Sequence, residues 1–179
     1  TALGDYVARR FETLRYLLKA LDIKDVLSIQ VHPYKANAVI DFLEENKMGI
    51  SLDSPKRNYK DDNHKPELMV AMGDFWLLHG FKPEEEIRKT LKSVPELANL
   101  FPVFEQSGYT GLYKIVMEMP QEKVNAQLKP LLDRIIPLYK EGRLNKSQAD
   151  YWAAKGSLTF SRPGKTDRGI FSVYLFNLV

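Results

Sequence analysis

Between Lys82 and Leu158 the sequence is patterned for helices, and on both sides of that block it reads mainly as strands. Lys82-Pro83-Glu84-Glu85-Glu86 opens the block with proline in a first turn and carboxylates near the positive end of a helix dipole. Leu128, Leu131, Leu132, Ile135 and Ile136 recur at helical spacing, while Pro130 and Pro137 are expected to start, bend or end helices there. Ser93 with Glu96, and Asn145 with Gln148, fit capping boxes. Upstream, residues 6–21 carry Val7, Phe11, Leu14, Leu17, Leu18 and Leu21 on one helical face. Residues 25–31 read as a strand. Residues 36–47 read as a helix stopped by Gly49. Residues 51–65 are polar and turn-rich, hence a loop. Residues 68–72, 75–78 and 170–179 are apolar runs expected to be buried strands, the last after a turn at 162–169. The fold class expected is α+β, a β structure interrupted by a helical subdomain. The units are residues 1–81, 82–158 and 159–179. There is no internal repeat, heptad run or low-complexity segment.

Composition removes several functions. The chain of 179 residues is 44% hydrophobic and 27% charged, ordinary for a globular protein. A net charge of +3 without a clustered basic face gives no case for a nucleic-acid partner. With no cysteine, disulfides and thiolate metal sites are excluded, so any metal must take imidazole, carboxylate, amide or water. No apolar run approaches a membrane span, and no charged-then-apolar leader opens the chain. A cytoplasmic, monomeric protein is the expectation. The aromatics Phe75, Trp76, Phe171, Tyr174 and Phe176 read as core, and the charges of the helical block as solvated faces.

Chemistry concentrates in two short stretches. Leu-Ser-Ile-Gln-Val-His-Pro (27–33) places Gln30 and His32 two residues apart on a strand, so both leave by one face while Ile29 and Val31 leave by the other. Ser28 shares the face of Gln30 and His32. Asn-His-Lys-Pro-Glu-Leu (63–68) then adds the carboxylate of Glu67. Gln, His and Glu together are N and O donors suited to a borderline divalent ion such as zinc. Spacing alone does not separate this set from an ordinary surface strand followed by an ordinary loop. Pro33 and Pro66 stiffen the backbone beside the donors.

The two strings, in this order and at this distance, resemble type I mannose-6-phosphate isomerases, the zinc-dependent phosphomannose isomerases of the cupin superfamily. The resemblance is tight at residues 26–33, 59–81 and 169–179 and rests on general character through the helical middle. It implies a cupin-type β jelly roll with an all-helical insertion subdomain, and interconversion of mannose 6-phosphate and fructose 6-phosphate through an enediol. It implies Gln30, His32 and Glu67 as ligands of one Zn2+, with a sugar phosphate as the partner. Lys65 is implied as catalytic and substrate-binding, and Ser28 as substrate-binding. Read without the resemblance, Lys65 is a solvated lysine and Ser28 an ordinary strand serine. His64 reads as a hydrogen-bonding neighbour of the ligands, and His79 as a packed or capping residue. The family's fourth ligand is a histidine on a later strand, so the chain is expected to be part of a longer isomerase. No residue here is assigned as the proton-abstracting base. The alternative function is a cupin-like module that binds sugar or a partner without catalysis.

Overall fold

A computed structural model of the protein describes residues 9–10, 18–23 and 31–178. The apolar positions of residues 87–175 converge on one core, and the helices that carry them follow from it. Ile87 and Leu91, four apart and fully buried, set the inner face of α2 (Glu84–Ser93). Its outer face holds Arg88, which donates to Glu84 at 2.9 Å, Glu85 at 3.0 Å and Glu105 at 2.7 Å. A 3₁₀ turn over Pro95–Leu100 buries Leu97 and Leu100 and leads into α3 (Phe101–Glu118). Two further long helices, α4 (Gln121–Lys140) and α5 (Ala149–Phe160), close over this surface through Leu128, Leu131, Ile135, Trp152 and Ala153.

α3 is two helical segments joined at Gly108, whose φ of 57° and ψ of −153° belong to neither helix nor ordinary L-residue backbone. At Gly111 a β-carbon would stand 2.2 Å from that of Ser107, so the bend needs both glycines. The prolines of α4 behave differently from the expectation. Pro130 and Pro137 lie inside one continuous helix and do not break it. Pro130 is on the exposed side of the helix, as is Ala126, whose carbonyl it leaves without an N–H partner. The opposite side buries Leu128, Leu131 and Leu132, and that packing holds the helix together.

The C-terminal apolar run is a second correction. Residues 170–175 are helical, within α6 (Gly169–Leu175), and only Phe176–Leu178 (β2) is strand. All six of those residues are buried, Ser172 included, and a segment buried all round carries no period that separates strand from helix. β2 pairs antiparallel with β1 (Leu78–Phe81) as a two-stranded ribbon in which Leu78 faces Leu178 and Phe81 faces Phe176. A bulge at Gly80, with φ of 62°, shifts the register, and Asn177 Nδ2 bridges the carbonyls of His79 and Phe81 across it. Residues 75–77 precede the strand rather than belong to it. Residues 68–72 form no strand and are exposed, since no described strand lies beside them to complete a ladder.

Upstream, α1 (Lys35–Lys47) ends in a Schellman motif: Gly49 N–H donates to Asn46 O and Ile50 N–H to Glu45 O, with Gly49 at φ 70°. Residues 51–65 form the loop expected. Of the N-terminal helix, Arg9 and Arg10 are helical, whereas residues 18–21 are not, and the rest lies outside the described residues; of the strand expected over 25–31 only Val31 is described, and it is exposed and not in a strand. Neither capping box forms as expected. Ser93 Oγ donates back to Thr90 O and Glu96 pairs with Arg134 instead. Asn145 N–H does donate to Gln148 Oε1 at 2.8 Å, but in a turn before α5 rather than at its cap. The architecture of the described residues is thus α+β, dominated by helices, and none of those helices is long and apolar enough to cross a membrane.

Candidate metal and substrate site

His32 lies just before α1, and the loop that follows α1 returns to it. His32 Nδ1 is hydrogen-bonded to the backbone carbonyl of Lys65. A carbonyl only accepts, so Nδ1 is the donor of this bond and Nε2 is the ring nitrogen that faces Glu67. Nε2 stands 3.8 Å from Glu67 Oε2, and the other carboxylate oxygen of Glu67 takes Lys65 Nζ at 3.0 Å. His32, Lys65 and Glu67 are therefore brought together. Gln30 and Ser28 lie outside the described residues. His64 and His79 are both exposed, so His79 is not a packed core residue.

The electrostatics favour a carboxylate at Glu67. The Lys65 ammonium hydrogen-bonded to it holds its carboxyl below the ordinary range, against partial desolvation, and His32 and Lys19 add to the pull. The donor set fits a zinc ion. A ligating histidine characteristically passes its other N–H to a carbonyl or carboxylate, and His32 does so. Two donors each about 2.0–2.1 Å from zinc sit about 3.3 Å apart at a tetrahedral angle, about half an ångström less than the His32–Glu67 gap. Among the described residues no third His, Asp or Glu joins the pair.

The contacts that hold the loop against α1 are largely polar. Arg57 and Glu45, 5% and 6% exposed, pair at 3.1 Å between α1 and the loop. Arg57 also donates to the carbonyls of Tyr59 and Ile50 and to Asn46 Oδ1, and its guanidinium lies over the Phe42 ring. Glu45 accepts the N–H groups of Asn58 at 3.0 Å and Tyr59 at 2.9 Å, while Tyr59 Oη donates to Asp41 at 2.7 Å. Nothing in the sequence marks this lock, because its members are separated by up to eighteen residues and follow no periodic pattern. An open groove of about 490 Å³ between Pro95, Glu96, Asn99, Lys123, Gln127 and Pro130 lies on the helical block, apart from this site.

Residues 1–84 match the model of the phosphomannose isomerase type I catalytic domain. Over that stretch the chain is similar to the type I phosphomannose isomerases. The mannose-6-phosphate isomerase of Escherichia coli K12 is 34% identical over 183 aligned residues, which take in 100% of this chain and 44% of that protein. The Saccharomyces cerevisiae enzyme of the same name is 47% identical over 101 residues, 55% of this chain and 21% of that protein. A crystal structure of the Salmonella typhimurium enzyme, bound to fructose 6-phosphate and zinc, superposes with a TM-score of 0.69 at 33% identity, covering 99% of this chain and 44% of that one. The chain thus spans less than half the length of these isomerases. The match to the solved enzyme runs through both the site segment and the helical block, although the family model itself stops at the start of α2.

Proposed function

We propose that the protein carrying this chain is a zinc-dependent aldose–ketose isomerase that interconverts mannose 6-phosphate and fructose 6-phosphate. The observation that carries the reading is the approach of His32 Nε2 to Glu67, with the opposite ring nitrogen tied to the Lys65 carbonyl. Gln30, His32 and Glu67 are the residues that would hold the metal. Bound there, zinc supplies a Lewis acid beside the sugar's carbonyl and hydroxyl oxygens. The Nδ1–H bond of His32 fixes its tautomer and aim, so that the ligand nitrogen is ready without reorganisation. Lys65, 65% exposed and held against Glu67, offers an ammonium to a phosphate or to an oxygen that gains charge as the enediol forms. Ser28 binds substrate. No residue is assigned as the proton-transfer base.

In this reading residues 1–81 belong to a cupin-type jelly roll, residues 82–158 to the helical insertion, and residues 159–179 return the chain to the β structure. A sugar-phosphate substrate goes with a cytoplasmic, monomeric enzyme. Metal analysis and an isomerase assay on the parent protein and on His32→Ala test the proposal together. Removal of the imidazole is expected to abolish stoichiometric zinc and turnover of mannose 6-phosphate in the same preparation. Stoichiometric zinc retained in His32→Ala refutes the ligand assignment.

A further inference from the structure

The loop that delivers Lys65 and Glu67 is fastened to the start of α1 by one side chain, Lys35. Its ammonium donates to the backbone carbonyl of Asp62 at 2.8 Å and to Asn63 Oδ1 at 3.0 Å, and lies 3.4 Å from the Asp62 carboxylate. Lys35 is the first residue of α1, three positions after His32, and Asp62 and Asn63 precede Lys65 by three and two. The loop is thereby joined to the His32 segment at two neighbouring points, the Lys35 latch and the bond between His32 Nδ1 and the Lys65 carbonyl. Asn63 is itself shaped for the latch by an N–H bond to Asp61 Oδ1 at 2.8 Å. Further along, the Arg57–Glu45 lock fixes only the other end of the loop, seven or more residues before Glu67.

We propose that Lys35 is a positioning residue: its ammonium holds the Asp62–Asn63 turn so that Glu67 meets His32 at ligand distance, without itself touching metal or substrate. This rests on the reading of His32 and Glu67 as metal ligands. The latch contributes little to global stability, because Lys35 and Asp62 are 48% and 52% exposed and such surface pairs are weak. Its effect is on geometry, as for other groups that orient metal ligands from outside the coordination sphere.

Three variants separate the possibilities: Lys35→Met, which keeps the aliphatic stem and removes the charge; Lys35→Arg, which keeps a cationic donor; and His32→Ala. Zinc alone is the probe, its affinity read by competition with a chromophoric chelator. Independently of metal, the tautomer of His32 is read from its ring ¹⁵N shifts in the metal-free protein at a pH where the ring is neutral. Lys35→Met is expected to weaken zinc binding about 10–100-fold. It should also reduce the Nδ1–H population of His32, with a change in melting temperature of no more than about 2–4 °C. Lys35→Arg should restore both the affinity and the tautomer. Unchanged zinc affinity in Lys35→Met, with zinc binding still dependent on His32, overturns the proposal. If parent and His32→Ala take up zinc alike, the ligand reading has failed instead, and the latch is judged on the tautomer: unchanged in Lys35→Met, it is refuted; shifted and restored by arginine, it stands.

Discussion

Tyr174→Phe is the most direct probe of how the helical block is held shut. Tyr174 is 2% exposed, on α6, and its hydroxyl donates to Asp150 Oδ1 on α5 at 2.7 Å. Asp150 Oδ2 accepts from Arg134 Nη1 on α4 at 3.3 Å, and Arg134 makes a two-pronged pair with Glu96 at 2.9 and 3.1 Å. One phenol thus ends a chain that joins three helices and the 3₁₀ turn. Phenylalanine fills the same space, so no cavity opens, and the loss is that of one hydrogen bond to a charged acceptor, about 1.5–3 kcal/mol. Asp150 keeps Arg134, and its side chain is 27% exposed, so water replaces the missing donor. The cost then falls in the lower half of that range, about 1.5–2 kcal/mol, or about 3–8 °C in melting temperature for a chain of this size. Thermal unfolding followed by circular dichroism at pH 7 measures it. A double-mutant cycle with Asp150→Ala should return a coupling of about 1 kcal/mol or more. The pH dependence adds a signed check. Burial, reinforced by the bond to Asp150, pushes the phenol far above its ordinary value. The unfolded chain therefore loses this proton near pH 10 while the folded chain retains it. The stabilisation is whole below about pH 10 and declines above it, so the gap between parent and variant should close over about one to two pH units from there. A variant that melts within 1 °C of the parent, strictly additive effects in the cycle, or a gap that stays constant above pH 10 would each refute the reasoning.

Two further substitutions test the backbone of α3 and the lock beneath the site. Gly108→Ala meets no atom within 4 Å, so its effect isolates the left-handed backbone, and a cost of about 1–3 kcal/mol is expected in urea unfolding. A neutral substitution would mean that the two segments of α3 run on as one helix. Glu45→Gln addresses a carboxyl held below its ordinary range first by the Tyr59 N–H and further by Asn58 and Arg57. A depressed acid stabilises above its unfolded pKa of about 4.3 and loses that contribution as pH falls through the lower folded value. The parent should out-melt Glu45→Gln at pH 6–7 and converge on it below about pH 4; parallel curves across that range would dismiss the carboxylate's role.

The helical block was legible because its elements carry their own punctuation. Pro83 and three glutamates open α2 where the structure opens it, and the four-residue spacing of Ile87 and Leu91 marks the buried face. Sequence failed where a residue's usual effect was overruled by its surroundings. Pro130 should break a helix, but it faces solvent on a helix whose other side is packed. Residues 170–175 are apolar or aromatic except Ser172, and all six are buried, so no period separates strand from helix there. Residues 68–72 have the composition of a strand but no neighbour among the described residues to pair with.

The approach of His32, Lys65 and Glu67 was legible in the sequence, and the contacts that hold them were not. His32, Lys65 and Glu67 stand out because proline-flanked polar side chains in two motif-like strings are conspicuous. The residues that bring them together are not, since each acts across a gap in sequence that only the folded loop closes. Arg57 reaches back to Glu45 and Phe42, Tyr59 to Asp41, and Lys35 forward to Asp62 and Asn63. The contrast with the helical block is physical. Between residues 31 and 75 Ala38 is the single buried apolar side chain, while the lock there buries an ion pair and satisfies every oxygen of Glu45. Apolar packing tolerates small shifts, because dispersion and burial vary smoothly with distance. A guanidinium fork with directional partners does not, and removing one partner leaves a buried charge uncompensated. A loop that brings Glu67 to within 3.8 Å of His32 is better placed by the second kind of contact. It follows that Arg57→Lys, which preserves charge but not the fork, should disturb the site more than its stability, whereas a truncation in the helical core such as Leu128→Ala should do the reverse.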